Sequence, residues 1–391
     1  MNPLTKTLTQ HFGRPPLVAI DLETPIPVED LPTPALMVDL DVFERNLQKM
    51  QSYLASRQIA LRGHAKMHKC PVIAEKQLAS GARGICTATV SEAEVMLAAG
   101  IEDILITSPV MTKDKVQRVV ALVREGGAVS LVVDNSDGAD LLNDALREED
   151  LHMTVYVDID PGLGRTGVAA GEPALTLARY IHDSCQALNF GGLQMYAGHC
   201  MHIAGFDARR SAYEKTMIGG FETLALFEKA GINVPVFSGG GTGSFDMEAD
   251  MGLVNELQAG SYLFMDVEYR QIGGQDSDRF TAFEPSLFVM VTAISQPNKR
   301  MMTVDAGYKA FASDTLVPEF HDMDGVVYHW GGDEHGMVLL NNPSRQWRLG
   351  DRLKMVTSHC DPTVNLYDYC FPYRNGMVEQ VWPISARGCS Q

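Results

Sequence analysis

The 391-residue chain contains no run of about 18 apolar residues, so no segment reads as a bilayer-spanning helix. Residues 1–31 are polar and broken by proline, without the apolar stretch of a secretory leader. There is no CxxC pair. Seven scattered cysteines, an odd number, argue against a disulfide framework and read as reduced thiols in a cytoplasm. Basic charge is scarce: 32 Lys and Arg against 49 Asp and Glu leave a net charge of −17. Such a chain is a poor partner for nucleic acid or an anionic membrane surface. No GxGxxG follows an early strand, which argues against a doubly wound nucleotide-binding sheet. Internal repeats and low-complexity tracts are missing too. What remains is 45% hydrophobic and 21% charged, an ordinary globular composition, and too long for one small core.

Eight β-rich runs alternate with helical patterns: 59–62, 84–88, 103–106, 128–134, 152–158, 190–194, 234–238 and 256–259. That alternation predicts an α/β fold, a (β/α)8 barrel of the TIM type, whose chemistry belongs in the loops after the strands. Between the second and third runs, Ser91 and Glu94 read as a capping box, with Gly100 as the left-handed stop. Ahead of the barrel lie a strand at 35–38 and a helix with a D-x-x-E start at Asp41 and Glu44. Its apolar face is Phe43, Leu47, Met50 and Leu54. After residue 280 the runs 287–294, 301–305, 337–340, 353–356 and 377–382 follow without helical patterns, and Asn375-Gly376 signals a hairpin. The expected organisation is an N-terminal segment (1–40) whose strand joins a β domain, a barrel (41–272), and a C-terminal all-β domain (273–391). The stretch 273–279 is the candidate linker.

The first run leads into His64, Lys66 and His68. Among cations and partly buried, Lys66 suits an amine that attacks a carbonyl. The i, i+4 pair His64 and His68 is a weaker candidate for a metal, since it lacks the Glu of HExxH. The seventh run ends in Ser238, Gly239, Gly240, Gly241, Thr242, Gly243 and Ser244, where backbone N–H groups and hydroxyls can converge on a phosphate. Tyr262, past the eighth run, offers a further hydroxyl. Lysine and phosphate loop together point to pyridoxal 5′-phosphate held as an imine. Arg165, in a glycine-bordered loop after the fifth run, is placed for the cofactor's phenolate or a substrate carboxylate. Tyr196, His199 and His202 crowd the loop after the sixth and supply acid–base candidates. In the β domain, His359 and Asp361 would share one side of an extended segment, with Cys360 turned away. Such a pair either binds a divalent ion (Mn2+, Mg2+ or Zn2+) or shares a hydrogen bond. The cluster Asp333, Glu334, His335 is a candidate for a third ligand or for outer partners that orient the ligands.

These motifs, in this order, resemble the family of D-threonine aldolases and metal-activated D-serine dehydratases, fold-type III pyridoxal-phosphate enzymes with an alanine-racemase-like barrel. The resemblance rests on residues 61–66, 238–244, 256–262, 333–336 and 359–363, and it covers nearly the whole chain. Two departures stand near the pocket: Gly63 where the family often has proline, and Thr87-Ala88-Thr89 in place of a more polar stretch. The resemblance implies a Schiff base on Lys66, a phosphate held by the glycine-rich loop and Tyr262, and a metal, Mn2+ foremost, on His359 and Asp361. His-x-Asp is similar to the aldolase branch, and His-x-Cys to the dehydratases. The implied reaction is retro-aldol cleavage of a D-3-hydroxy amino acid such as D-threonine to glycine and an aldehyde. In it His202, or a water it orients, takes the hydroxyl proton, Arg165 stays charged beside the cofactor and Tyr196 packs by the ring. D-3-hydroxyaspartate cleavage and D-serine dehydration are the alternatives. By analogy with this fold type a homodimer is expected.

Overall fold

The computed structural model describes residues 16–391. The chain divides between two compact units. One is β-rich and takes the chain up to Gln48, then Met67–Val72 and Ser261–Gly388; the other takes Lys49–Lys66, Ile73–Gly260 and Cys389–Gln391. The exchange after Gly260 lies upstream of 273–279, which forms a turn inside the β-rich unit, closed by Gly274 N–H donating to the Ser277 carbonyl at 2.8 Å.

The second unit is a closed parallel barrel. Its strands are Ala60–His64, Gly84–Thr87, Asp103–Ile106, Ala128–Val133, Met153–Asp160, Leu188–Met195, Val236–Gly239 and Glu256–Leu257. Each pairs with the next, and the last returns to the first. Strand burial is nearly continuous, as at Ile104, Leu105 and Ile106, because helices cover the outer face. The helix Lys113–Arg124 turns Val116, Val119 and Val120 inward, the i, i+3, i+4 stripe of an amphipathic helix. The helix Ser136–Arg147 is capped by Asn135, whose side-chain oxygen Oδ1 accepts from Gly138 N at 2.7 Å.

The expected capping box lies two residues earlier than Ser91 and Glu94. Thr89 has extended backbone (φ −135°, ψ 161°) and its hydroxyl accepts from Glu92 N, while the Glu92 carboxylate accepts from Ala88 N at 2.8 Å. Ser91 is already helical, so it cannot cap. With Glu94 it holds Arg118 instead, at 2.6 and 2.7 Å.

In the β-rich unit, Ala35–Asp39 pairs antiparallel with Leu287–Asn298 and parallel with Tyr369–Arg374. A further strand, Ile20–Pro27, adds to Met377–Pro383. Asn375 and Gly376 both have positive φ (51° and 74°), the requirement of the tight turn that joins the last two strands. The helix Leu40–Ala55 begins earlier than expected. Asp39, not Asp41, accepts from Val42 N, and Asp41 and Glu44 both pair with Arg374. The expected apolar face is buried, with Phe43 edge-on to Trp382 at 6.0 Å. Among the described residues no disulfide links the seven cysteines, and no helix is long and apolar enough to cross a membrane.

Candidate active site

At the C-terminal ends of the barrel strands, three loops meet around one aromatic ring. Arg165, exposed in the loop after strand five, stands 5.7 Å from the centroid of the Tyr196 ring, which follows strand six. Gly241, after strand seven, passes the same ring so closely that a Cβ there would stand 3.5 Å from Tyr196 Cε2 and 3.0 Å from Met201 Sδ. Gly243 admits no side chain either, because its Cβ would lie 2.5 Å from the Met201 carbonyl. Gly240 has φ +67°. Gly240 and Gly243 let the backbone run where a side chain would collide, and Gly241 leaves only ordinary contact distance to the Tyr196 ring. Thr242 is buried among them.

Lys66 lies in the short turn Ala65–Met67 that ends strand one, partly buried, with its backbone N–H 3.4 Å from His64 Nδ1. The His64–His68 metal pair does not form. His64 Nε2 meets the Thr107 hydroxyl at 3.2 Å, and His68 Nδ1 accepts from Cys70 N at 3.1 Å, so each ring answers a neighbour. His199 turns outward to Thr216 at 3.4 Å, whereas His202 is exposed in the turn that follows. Ser238 does not face an anion from this loop. Its hydroxyl donates to Glu256 at 2.8 Å and accepts from Gln258 at 2.9 Å, wholly buried. Ser244 likewise donates to Glu248. Tyr262, in the other unit, is buried with its ring edge-on to Phe283.

Under the mouth runs a hydrogen-bonded chain that the sequence reading missed. Thr166 donates to Asp158 (2.8 Å), Gln194 donates to Asp158 (2.9 Å), and Gln258 donates to Gln194 (3.0 Å) and to Ser238. It continues through Glu256 to the buried Arg62, 3.0 Å away, which also holds Asp103 at 2.6 Å. Burial raises the Asp158 carboxyl to about 6; Asp134 adds to the rise, while Gln194, Thr166 and Arg165 oppose it. Alternate residues of strands point inward. Only a closed barrel register brings positions 158, 194, 238, 256 and 258 together; the motifs 238–244 and 256–262 contain three of them but do not mark them as partners of 158 and 194.

The second constellation lies in the β-rich unit. His359 is not in an extended segment, as the alternation argument requires, but is the N-cap of the helix Cys360–Val364. It makes no side-chain cap. Asp266 does that work: one carboxylate oxygen caps its own short helix at Tyr269 N, and the other accepts from Cys360 N, each at 2.9 Å. The His359 ring is thereby left to its neighbours. Nδ1 stands 2.7 Å from Asp314 Oδ2 and 4.0 Å from Glu268, and Nε2 stands 3.9 Å from Asp361 Oδ2. Burial lowers the imidazole pKa, but Asp361, Asp314 and Asp266 outweigh it and leave it above the ordinary value. Glu268 is raised, by burial first and then by Asp314 and Asp361, with His359 opposing. Cys360 is fully buried, and burial holds its thiol well above the ordinary range. In the cluster 333–335, Asp333 and Glu334 both pair with the exposed Lys309. Asp266, Glu268 and Asp314 carried no signal in the sequence; they are scattered acids among many.

The residues fit the groups they were expected to hold. An amine, an arginine–tyrosine pair and a loop closed to side chains share the barrel mouth, as a phosphorylated aldehyde requires. One imidazole among carboxylates is a hard-donor set suited to a divalent ion completed by water or substrate oxygen. Among the described residues no three such side chains converge tightly enough to hold an ion alone.

Residues 38–268 match the family "Alanine racemase, N-terminal domain", and residues 286–372 match the "Putative serine dehydratase domain". The chain is 39% identical to the D-threonine aldolase of an Arthrobacter species over 93% of this chain and 95% of that one. It is 35% identical to the 3-hydroxy-D-aspartate aldolase of Paracoccus denitrificans over 92% and 93%, and 30% identical to the D-threo-3-hydroxyaspartate dehydratase of a Delftia species over 85% and 92%. The crystal structure of D-threonine aldolase from Filomicrobium marinum superposes with a TM-score of 0.90 at 36% identity, covering 96% of this chain and all of that one. With this barrel, this β-rich partner and these relatives, the chain belongs to the alanine-racemase-like family of D-threonine aldolases and D-serine dehydratases, and it is a lyase.

Proposed function

We propose that the chain is a pyridoxal-phosphate- and divalent-metal-dependent aldolase that cleaves D-3-hydroxy amino acids, D-threonine among them, to glycine and an aldehyde. The observation that carries this reading is the carboxylate of Asp361 beside His359 Nε2, with the neighbouring thiol of Cys360 fully buried. An oxygen donor at that place suits Mn2+ or Mg2+, whereas a thiolate would favour zinc. When bound, the cofactor supplies an electron sink for the broken Cα–Cβ bond and the metal a Lewis acid for the β-hydroxyl.

The chain's own residues divide the remaining work. Lys66 would supply the amine that holds the cofactor's aldehyde. The backbone of 240–243, with Thr242, would hold the phosphate. Arg165, 5.7 Å from the Tyr196 ring, would supply a positive charge beside the cofactor, and Tyr196 an aromatic face. His202 accepts the proton of the β-hydroxyl, which turns the C–OH into the carbonyl of the departing aldehyde. His359 and Asp361 hold the ion. The dehydratase relative supports a second reading, in which the β-oxygen leaves as water and ammonia with a 2-oxo acid results.

A panel of D-threonine, D-3-hydroxyaspartate and D-serine, assayed for glycine, aldehyde, ammonia and 2-oxo acid with and without Mn2+, tests the reading. Glycine with aldehyde, lost on EDTA treatment, is expected; ammonia without glycine overturns it. Lys66→Ala is expected to abolish both turnover and the visible cofactor band. A variant that keeps both removes the anchoring role.

A further inference from the structure

We infer that Asp314 is the positioning residue of the metal histidine. It accepts the Nδ1 proton of His359 and so leaves Nε2, on the Asp361 side, as the nitrogen that binds the ion. The inference rests on the proposed metal role of His359 and Asp361 and assigns a residue beyond it.

Distances separate the roles. Two donors each about 2.1 Å from one octahedral ion stand about 3.0 Å apart when adjacent and about 4.2 Å when opposite. His359 Nε2 and Asp361 Oδ2, 3.9 Å apart, stand between those two values and make no direct hydrogen bond, so the space between them is open to an ion after a small adjustment. His359 Nδ1 and Asp314 Oδ2, at 2.7 Å, are a direct charge-assisted hydrogen bond with no room for an ion between them. One imidazole cannot offer the same nitrogen to both. A proton held at Nδ1 fixes the tautomer, puts the lone pair on Nε2 and strengthens it as a donor.

The backbone around Asp314 is built to hold this contact. Two residues before it, Ala312 N donates to the Thr363 hydroxyl at 3.0 Å, and that hydroxyl donates to the His359 carbonyl at 2.7 Å. The Ser358 hydroxyl donates to the Ala312 carbonyl. The segment bearing Asp314 is therefore pinned, through both backbone groups of Ala312, to the turn bearing His359, although 45 residues separate Asp314 from His359. Meanwhile Asp266 fixes the start of that turn through Cys360 N. Glu268, 4.0 Å from Nδ1, is too far to take the proton from Asp314.

The test is calorimetric titration of Mn2+ into the cofactor-loaded protein and into His359→Ala, Asp314→Leu and Asp314→Asn. Asp314 is exposed enough for both replacements to fold, which circular dichroism checks. Asp314→Leu, nearly the same size but without an acceptor, is expected to weaken Mn2+ binding 10- to 100-fold. Asp314→Asn, which keeps a carbonyl oxygen for the Nδ1 proton, is expected to restore most of the loss. In Cu2+-loaded samples the electron-spin-echo modulation of the remote imidazole nitrogen is expected to shift in Asp314→Leu, a signature that a merely structural role would not move. Loss of binding in His359→Ala with unchanged affinity and unchanged modulation in Asp314→Leu overturns the inference alone. Equal Mn2+ binding by wild type and His359→Ala overturns the metal assignment itself, and the role of Asp314 with it.

Discussion

Asp158 shows how much a single buried group weighs. Its carboxyl titrates near 6 when folded against an ordinary 3.8, so the native state keeps a proton that the unfolded chain has released between those values. The contribution is therefore fully present below about pH 4 and lost as the pH rises through about 6, a difference of about 3 kcal/mol. Asp158→Asn, which cannot ionise, is expected to flatten the fall in Tm between pH 4 and 6.5; an unchanged slope would place the titration elsewhere. The sequence could name Lys66, Arg165 and Tyr196 because a loop after a barrel strand is a recognisable address. It could not name Asp158, Gln194 or Gln258 as partners, because their proximity depends on closure between strands far apart in the chain. His359 and Asp361 were legible as a pair but for the wrong reason. The alternation of an extended segment does not operate in a helix-capping turn, and the two side chains approach because the turn folds them together.

Among the elements, helix starts were the least accurately read. Thr89 and Glu92 form the box expected at Ser91 and Glu94, and Asp39 caps where Asp41 was expected. In each case an acid or hydroxyl of the right type stood two residues away and was taken by an arginine. Both options look alike until Arg118 and Arg374 arrive from distant segments. Thr89→Ala is expected to lower stability by about 1 kcal/mol in denaturant titration, whereas Ser91→Ala should stay within about half of that. The loop between strand seven and the next helix is less forgiving. Gly240→Ala places a Cβ at positive φ and 2.3 Å from the Glu248 carboxylate. It should lower both Tm and cofactor retention, read from the visible band after gel filtration. Strands were read best: Asp103–Ile106 falls on the expected residues, since apolar runs buried on both faces need no partner to be recognised.

For the whole molecule, the alternation of strand and helix announced the barrel, but nothing announced how the chain is shared. The helix Leu40–Ala55 carries one uninterrupted apolar face, yet the division between units falls inside it, at Gln48. A periodic pattern records that a face is buried and not which neighbour buries it. Ligand linkage gives a measurement at this scale. Mn2+ at about 100 times its dissociation constant is expected to stabilise the cofactor-loaded protein by about 2.7 kcal/mol, visible as a rise in Tm, and to leave Asp361→Ala unmoved. An equal rise in that variant would move the ion to another place on an acidic chain of net charge −17.

The strand Ala35–Asp39 has a consequence for how the protein is made. Ala35, Leu36, Met37 and Val38 are almost entirely hidden in the finished sheet, and the neighbours that hide them are residues 287–290 and 371–373. On a ribosome adding roughly 5–20 residues per second, these four side chains emerge early and stay without their partners for roughly 20–70 s. A sticky segment born that far ahead of its shelter makes nascent chains the vulnerable stage of this protein's life. Added chaperone should then raise the soluble yield more than any improvement to the completed fold.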